Sequence, residues 1–135
     1  MFRISRKLEY GILLMTALAE DPGNTAKSTA SLSDKLEIPL PFLHQIAHAL
    51  MHAKLIIATP GPKGGLKLGR SPQEITALNI AEALDGPISL NLCTESQNGS
   101  CAKQEDCPSK DLWCNVENKI IQELASVTLA KMTKI

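Results

Sequence analysis

The four cysteines of this 135-residue chain all lie in one polar segment, residues 91–114, which we call the cysteine segment. They are Cys93, Cys101, Cys107 and Cys114. Ser, Asn, Gly, Gln, Asp and Lys fill most of the sequence between them, so the segment has too few apolar side chains to bury itself in a core. Thiols in such a segment favour metal binding or redox chemistry over a packing role.

The spacing of these cysteines, C-x7-C-x5-C-x6-C, limits which kinds of metal or redox site they can form. Zinc sites usually contain a C-x2-C or C-x4-C pair, and thioredoxin-like chemistry needs C-x-x-C. Neither pair is present in this sequence. An iron–sulfur cluster accepts varied spacing, and its binding would order a polar loop. From the spacing alone, a cluster and a metal-free pair of redox-active thiols both stay open.

Length and composition indicate a single globular domain, because 44% of the residues are hydrophobic and 21% are charged. The apolar run near the N-terminus is interrupted by Glu9 and Tyr10, and no small-residue cleavage site follows it. We therefore predict a helix here and not a signal peptide or a membrane span. The expected location is the cytoplasm, without a membrane partner, where thiols stay reduced and structural disulfides are disfavoured.

Apolar periodicity, helix caps and turn residues predict the elements that position this segment. Ser28 is a good N-cap, and Pro41 suits the first turn of a helix that follows the break at "EIPLP". The sequence "LIIATPGPKGGLKLG" predicts two short strands around a Gly/Pro-rich turn. The predicted helices cover residues 6–19, 28–36, 41–53 and 76–84, with a long helix from residue 109 onward.

The predicted fold class is mainly α: a winged helix-turn-helix domain with a small β-wing, plus a long C-terminal dimerisation helix. The predicted divisions are a DNA-binding domain over residues 1–85, a cluster-binding loop over 86–108, and the dimerisation helix with its tail over 109–135. The long helix carries an apolar stripe, and operator-binding proteins usually pair two identical modules, so we expect a homodimer. Folding of this helix back onto its own domain stays open. The stripe consists of Leu112, Val116, Ile120 and Leu124.

The charge distribution and the third helix point to double-stranded DNA as a partner. Residues 1–70 carry a net charge of +4 and residues 71–135 a net charge of −4, so a polyanion would face the first half. All three histidines, with Gln45, lie on one polar face of the third helix, where they could contact base edges or phosphates. A zinc site and a plain solvated face are the alternatives for the histidines. The predicted DNA-contacting residues are Ser28, Thr29, Pro41, His44, Gln45, His48, Lys63 and Arg70.

Nothing in the sequence indicates catalysis, so we predict that the chain is not an enzyme. A nucleophile with a nearby base, a nucleotide-binding loop and convergent carboxylates are all missing from the pattern. The glycines of the wing match no Walker spacing. They fit a wing tip that approaches a nucleic-acid backbone closely.

Several segments resemble the IscR/NsrR/CymR family of bacterial winged-helix regulators, and most closely the branch that controls the SUF iron–sulfur assembly system. The resemblance covers essentially the whole chain. It rests on "RISRKLEYGILLMTALA", "IPLPFLHQIAHAL" and "PKGGLKLGRSPQEITALNIAEALDGPISL", together with the cysteine loop, "LW" at 112–113 and "VTLAKM". The residue His44 departs from the acidic or small residues common in relatives, so the operator sequence is not carried over.

The resemblance implies a dimeric repressor or activator that holds a cluster, 2Fe–2S favoured and 4Fe–4S possible, on Cys93, Cys101 and Cys107. For the fourth ligand it favours Glu9, which occupies the position of a first-helix carboxylate in some members. Lys110 stands where other members have a ligating histidine, and Cys114 is a softer additional candidate. The implied function is sensing of cluster status, redox state or nitric oxide for genes of cluster assembly or stress. The alternative is a metal-free thiol-redox transcription regulator.

Overall fold

The computed structural model describes residues 3–90 and 108–133 and confirms the predicted fold class. Its helices and its two-stranded antiparallel wing follow one another in the predicted order. The elements are α1 (Arg6–Ala19), α2 (Thr29–Leu36), α3 (Leu40–His52), β1 (Ile56–Thr59), β2 (Gly65–Leu68), α4 (Ala77–Asp85), α5 (Lys110–Ser126) and α6 (Leu129–Thr133).

Side-chain caps fix where the first helices begin. Ser28 precedes α2 as predicted, and its hydroxyl accepts a hydrogen bond from the Ser31 amide at 3.1 Å. Ser5 caps α1 in the same way, and Thr76 forms a reciprocal capping box with Asn79 at the start of α4. Each cap satisfies an amide that has no partner inside the helix, so these short polar residues set the helix boundaries.

Helix α1 lies at the centre of the core. It packs against α2, α3, α4, α6 and β2, and its residues Leu14, Met15 and Leu18 are at most 1% exposed. Ile46 and Ile80 bring α3 and α4 into the same core, each with no exposed surface. Full burial of each such aliphatic side chain contributes about 1.5–3 kcal/mol, and so this core holds α3 rigidly.

The Asp-Pro-Gly turn between α1 and α2 is closed by the Asp21 side chain. Its carboxylate accepts hydrogen bonds from the Thr25 hydroxyl, the Thr25 amide at 2.9 Å and the Gly23 amide at 3.0 Å. The Thr25 hydroxyl, these amides and the nearby Lys27 ammonium together hold the pKa of Asp21 well below its ordinary value. In the same turn, the Asn24 side chain bonds the Leu68 amide and carbonyl at 3.0 Å each, which ties the turn to the wing.

A backbone bridge joins the wing to the residue before α2. The Lys27 amide donates to the Leu66 carbonyl at 2.9 Å, and the Leu66 amide donates to the Lys27 carbonyl at 2.7 Å. Gly65 permits this approach, because its φ is +148° and a Cβ placed there would lie 2.0 Å from the Lys27 carbonyl oxygen. The wing and the start of α2 therefore form one unit.

Replacing Gly65 with alanine is expected to lower the free energy of unfolding by about 2 kcal/mol or more. The substitution combines backbone strain with a clash against a carbonyl that cannot rotate away. Gly61→Ala is the matched control, since Gly61 also has a positive φ, +103°, but nothing lies within 4 Å of its Cβ position. Chemical denaturation measures both variants. Equal losses for the two would show that the bridge does not need this glycine.

Candidate nucleic-acid interface and cysteine segment

Helix α3 has one buried apolar face and one exposed polar face. Leu43, Ile46 and Leu50 have no exposed surface and anchor the helix to the core. The opposite side is exposed along its whole length, as the sequence predicted, and we call it the histidine face. It consists of His44, Gln45, His48 and His52.

The turn between α2 and α3 is held by a small set of local contacts. Glu37 adopts the left-handed conformation with φ 56°, and Ile38 is buried with 1% exposure. The Ser33 hydroxyl donates to the Ile38 carbonyl at 2.5 Å, while the Ile38 amide donates to the Ser33 carbonyl at 3.2 Å. These contacts fix the direction in which α3 leaves α2, as a helix-turn-helix requires.

The start of α2 lies beside the histidine face. The Nε2 atom of His44 is 3.4 Å from the Thr29 hydroxyl oxygen, within hydrogen-bonding distance. Ser28 and Pro41 are exposed, and Thr29 is half-buried. The structure therefore brings predicted contacts at the start of α2 close to those of α3.

The two predicted cations of the wing lie at opposite ends of it. Lys63 is exposed in the tip between β1 and β2. Arg70 follows β2 at the base, where it lines one cleft with Asp21 and another with Glu82 of α4. A single wing tip therefore does not present both side chains, and Lys63 is the one that extends away from the core.

Helix α5 packs against α4 but leaves much of its apolar stripe uncovered. Leu112 is 55% exposed, and Val116, Ile120 and Leu124 are only half-buried. The last three line an open groove of about 340 Å³ with Lys119 and Glu123. Among the described residues, the packing of α5 on α4 leaves this stripe partly uncovered, so a second molecule can contact it.

The residue that α5 buries most deeply is a carboxylate, Glu117. It is 8% exposed, and its Oε1 atom has no hydrogen-bond partner within residues 3–90 and 108–133. Sequence reasoning missed this residue, because glutamate on a helix is usually at the solvent face. A faint signal existed, since Glu117 falls between two apolar helix neighbours, Trp113 and Ile121, each one turn away.

Replacing Glu117 with methionine, an apolar residue of similar shape, is expected to raise the free energy of unfolding of cluster-free protein by about 1–3 kcal/mol. The change removes a buried oxygen that has no partner among the residues the structure describes. Gln122→Met, at an exposed position of the same helix, is the control and should change stability by less than about 0.5 kcal/mol. A loss of stability on Glu117→Met in thermal denaturation would mean that the carboxylate has a stabilising partner in solution.

The candidate metal ligands are distributed over three parts of the chain. Glu9 is exposed on α1, and Cys114 is half-buried on α5 without a disulfide; both helices pack against α4. Cys93, Cys101 and Cys107 lie outside the residues that the structure describes. Within residues 3–90 and 108–133, no three His, Cys, Asp or Glu side chains are grouped closely enough to hold a metal ion.

The donor atoms near this segment nevertheless suit iron. Thiolates are the usual ligands of iron–sulfur clusters, and Cys114 adds a soft sulfur donor at the first turns of α5. Residues 91–107 connect Leu90, just after α4, to Pro108, just before α5. A cluster bound by Cys93, Cys101 and Cys107 would therefore be connected through the backbone to both α4 and α5.

Comparison with known proteins places these features in one family. The sequence pattern of Rrf2, described as an iron-dependent transcriptional regulator, matches residues 4–135. The HTH-type transcriptional regulator IscR of Cereibacter sphaeroides is 35% identical over 98% of this chain and 87% of its own length. The structure of CymR, the global cysteine regulator of B. subtilis, matches with a TM-score of 0.83 and 29% identity over 99% of this chain and 98% of CymR. IscR of T. potens matches with a TM-score of 0.79 and 28% identity, over 98% of this chain and 87% of the other.

These relatives are transcription regulators and not enzymes, which confirms the prediction that this chain is not an enzyme. They also confirm the winged-helix fold and the family resemblance seen in the sequence. In the described part of the chain, no helix is both long and apolar enough to cross a lipid bilayer.

Proposed function

Because this chain belongs to the Rrf2 family of DNA-binding transcription regulators, we propose that it binds a promoter operator as a homodimer and that an iron–sulfur cluster on the cysteine segment controls this binding. The observation that carries the proposal is the set of three cysteines in the polar segment between α4 and α5. The iron dependence in the family's description supports the same choice of metal. Genes of iron–sulfur assembly or stress response are the proposed targets.

Cys93, Cys101 and Cys107 are the proposed ligands, with Glu9 or Cys114 as the fourth. A bound cluster, 2Fe–2S favoured over 4Fe–4S, would supply iron centres that hold several thiolates at fixed mutual positions. Glu9 is exposed, so it is free to reach a cluster of its own or of a partner chain. Cys114 is the ligand that would tie α5 most directly to the loop.

The presence or absence of a cluster on the cysteine segment can affect DNA binding through two sets of contacts. The loop begins just after α4, and α4 packs against both α1 and α3, whose exposed side is the histidine face. The loop ends just before α5, whose apolar stripe is the proposed dimer contact. Cluster binding to this segment can therefore shift α1, α3 and α4 together within one subunit and change the distance between the two copies of α3.

The proposed division of labour follows the predicted limits: residues 1–85 bind DNA, residues 86–108 hold the cluster and residues 109–135 join the subunits. In the DNA-binding part, His44, Gln45 and His48 contact base edges from α3. The exposed Ser28 and the half-buried Thr29, at the start of α2, contact phosphates. Pro41, Lys63 and Arg70 are the remaining proposed contacts.

Gln45→Ala and Lys63→Ala are expected to weaken DNA binding in different ways. Loss of a base contact at Gln45 should cost about 1–3 kcal/mol on the preferred duplex and relax the preference at one base pair. Loss of the Lys63 charge should weaken binding to all duplexes alike and reduce the salt slope of log K by about 1. Salt titrations on preferred and scrambled duplexes measure both effects. An equal, sequence-independent loss for the two variants would contradict this assignment.

Anaerobic purification tests the cluster directly. The expected result is coloured protein with visible absorption, and with iron and acid-labile sulfide in proportion to the protein. Colourless protein that lacks iron and still regulates its promoter would contradict the proposal.

The second candidate function is a metal-free thiol regulator. The observations that favour it are the high structural similarity to a regulator named for cysteine control and the free, half-buried thiol of Cys114. In this case a pair of cysteines in residues 91–114 would form a reversible disulfide, two thiols losing two electrons and two protons to an oxidant such as a peroxide. Iron analysis distinguishes the two candidates, because only the first predicts bound iron.

A further inference from the structure

The histidine face has an arrangement that base reading alone does not require. All three histidines of the chain are on it, at positions 44, 48 and 52, and all three are exposed. Helix α3 runs without interruption from Leu40 to His52. Residues four apart on a helix have Cβ atoms about 5–6 Å apart, so His44 and His48 form one neighbouring pair and His48 and His52 form another.

We infer that these two overlapping pairs form a binding site for a divalent transition metal ion such as Ni²⁺, Zn²⁺ or Cu²⁺. Neutral imidazole is a preferred ligand of these ions. The sequence "HQIAH" over residues 44–48 has the histidine spacing of the zinc-binding helix motif H-E-x-x-H. Gln45 replaces the glutamate that serves as a base in that motif, so the pair can hold an ion but has no base for hydrolysis.

The contacts around His44 fit a site in which a pair of histidines binds the ion without further protein ligands. The Thr29 hydroxyl lies 3.4 Å from His44 Nε2 and can hold the ring through that nitrogen, which leaves Nδ1 for an ion. Among the described residues, no three His, Cys, Asp or Glu side chains are close enough to bind one ion together, so one histidine pair would hold each ion. The ion would therefore keep several water ligands and bind with the moderate strength of a two-histidine chelate.

An ion at this position has a consequence for DNA. Its hydrated sphere would occupy the space in front of His44 and His48, where base edges must approach. Metal ion and DNA should therefore exclude one another, and by thermodynamic linkage each should weaken the other by the same factor. This consequence rests on the proposed function, whereas binding of the ion does not.

Site-resolved NMR of the histidine rings in the full-length protein tests the metal site, using Ni²⁺ as a paramagnetic probe. Ring signals are the proper readout, because the cysteines can also bind metal ions but contribute no imidazole signals. All three rings should broaden together at low Ni²⁺ concentration. Uniform broadening only at the high concentration expected of isolated surface histidines would overturn the site.

Variants separate chelation from the mere presence of histidines. His48→Ala leaves His44 and His52 two helical turns apart, and the Ni²⁺ affinity of the remaining rings should fall at least about tenfold. His44→Ala and His52→Ala each keep one pair and should retain affinity within a few-fold, whereas the double variant should match His48→Ala. Equal affinities for His48→Ala and His44→Ala would overturn the chelate.

Adding a random-sequence DNA duplex at low ionic strength tests the exclusion. DNA should protect the three rings from Ni²⁺ broadening. Unchanged broadening in the DNA complex would overturn the exclusion and leave the metal site standing. A protein that binds no duplex at all would contradict the proposed function, while the titration without DNA would still report on the metal site.

Discussion

Replacing Cys101 with serine is expected to remove nearly all bound iron from anaerobically prepared protein. Serine differs from cysteine by one atom, but its hydroxyl is a hard donor that stays protonated near neutral pH, whereas the thiolate is the ligand that clusters require. The same loss is expected for Cys93→Ser and Cys107→Ser. Iron and sulfide analysis with visible absorption measures the effect, and the DNA affinity of each variant should equal that of the cluster-free native protein.

Substitutions of the two candidates for the fourth ligand are the controls for this experiment. Cys114→Ser and Glu9→Gln each remove one candidate, and only one of them should shorten the lifetime of the cluster in the presence of a chelator. The other should behave like the native protein, which also shows that substitution near the loop does not by itself release iron. Full retention of iron by Cys101→Ser would contradict the proposed ligand set.

Replacing Ile120 with aspartate is expected to convert the dimer to a monomer and to lower operator affinity at least about hundredfold. Ile120 lies at the middle of the groove that α5 leaves open, so the charge would be buried at a subunit contact without a partner. Two linked modules bind two half-sites with an advantage of about 10²–10⁴ over one module, and a monomer loses this advantage. Analytical ultracentrifugation and DNA titration measure the two effects.

Gln122→Asp is the matched control, because it places the same charge at an exposed position of α5. It should leave both the association state and the DNA affinity within about twofold of the native values. The Ile120→Asp monomer should keep its helical circular dichroism, since Ile120 is only half-buried within the chain. A variant that stays dimeric and binds DNA normally would remove α5 from the dimer contact.

The local features of the fold were predictable because short-range rules determine them. Ser28 caps α2, Pro41 lies in the first turn of α3, and the Gly/Pro-rich turn joins β1 to β2, all as predicted. The exposed side of α3 followed from the 3.6-residue period. Each of these features depends on residues that are close together in the sequence.

The features that sequence reasoning missed depend on contacts between distant residues. The bridge between Lys27 and Leu66 joins two segments with unremarkable patterns, and only the structure places their backbones together. Lys63 and Arg70 were both predicted to contact DNA, but the antiparallel pairing of β1 and β2 places them at opposite ends of the wing. The burial of Glu117 contradicts the usual preference of its residue type, and tertiary packing determines it.

The candidate site also has a part that the sequence predicts and a part that it does not. The histidine face could be predicted in full, because one helix supplies all of it. The proposed cluster ligands Cys93, Cys101 and Cys107 follow from the family resemblance, but the choice between Glu9 and Cys114 depends on how α1, α5 and the cysteine segment meet, within one chain or between two. That choice is a matter of tertiary and quaternary contacts, which no local pattern contains.

The most direct test of cluster-controlled DNA binding is a comparison of two forms of one preparation. The protein is purified without oxygen, half of it is stripped of iron by a chelator, and both halves are titrated with a promoter duplex that the native protein selects. The two affinities are expected to differ by about tenfold or more, in the range of typical coupling between sites. Equal affinities, measured with intact cluster absorption in the loaded half, would contradict the control of DNA binding by the cysteine segment.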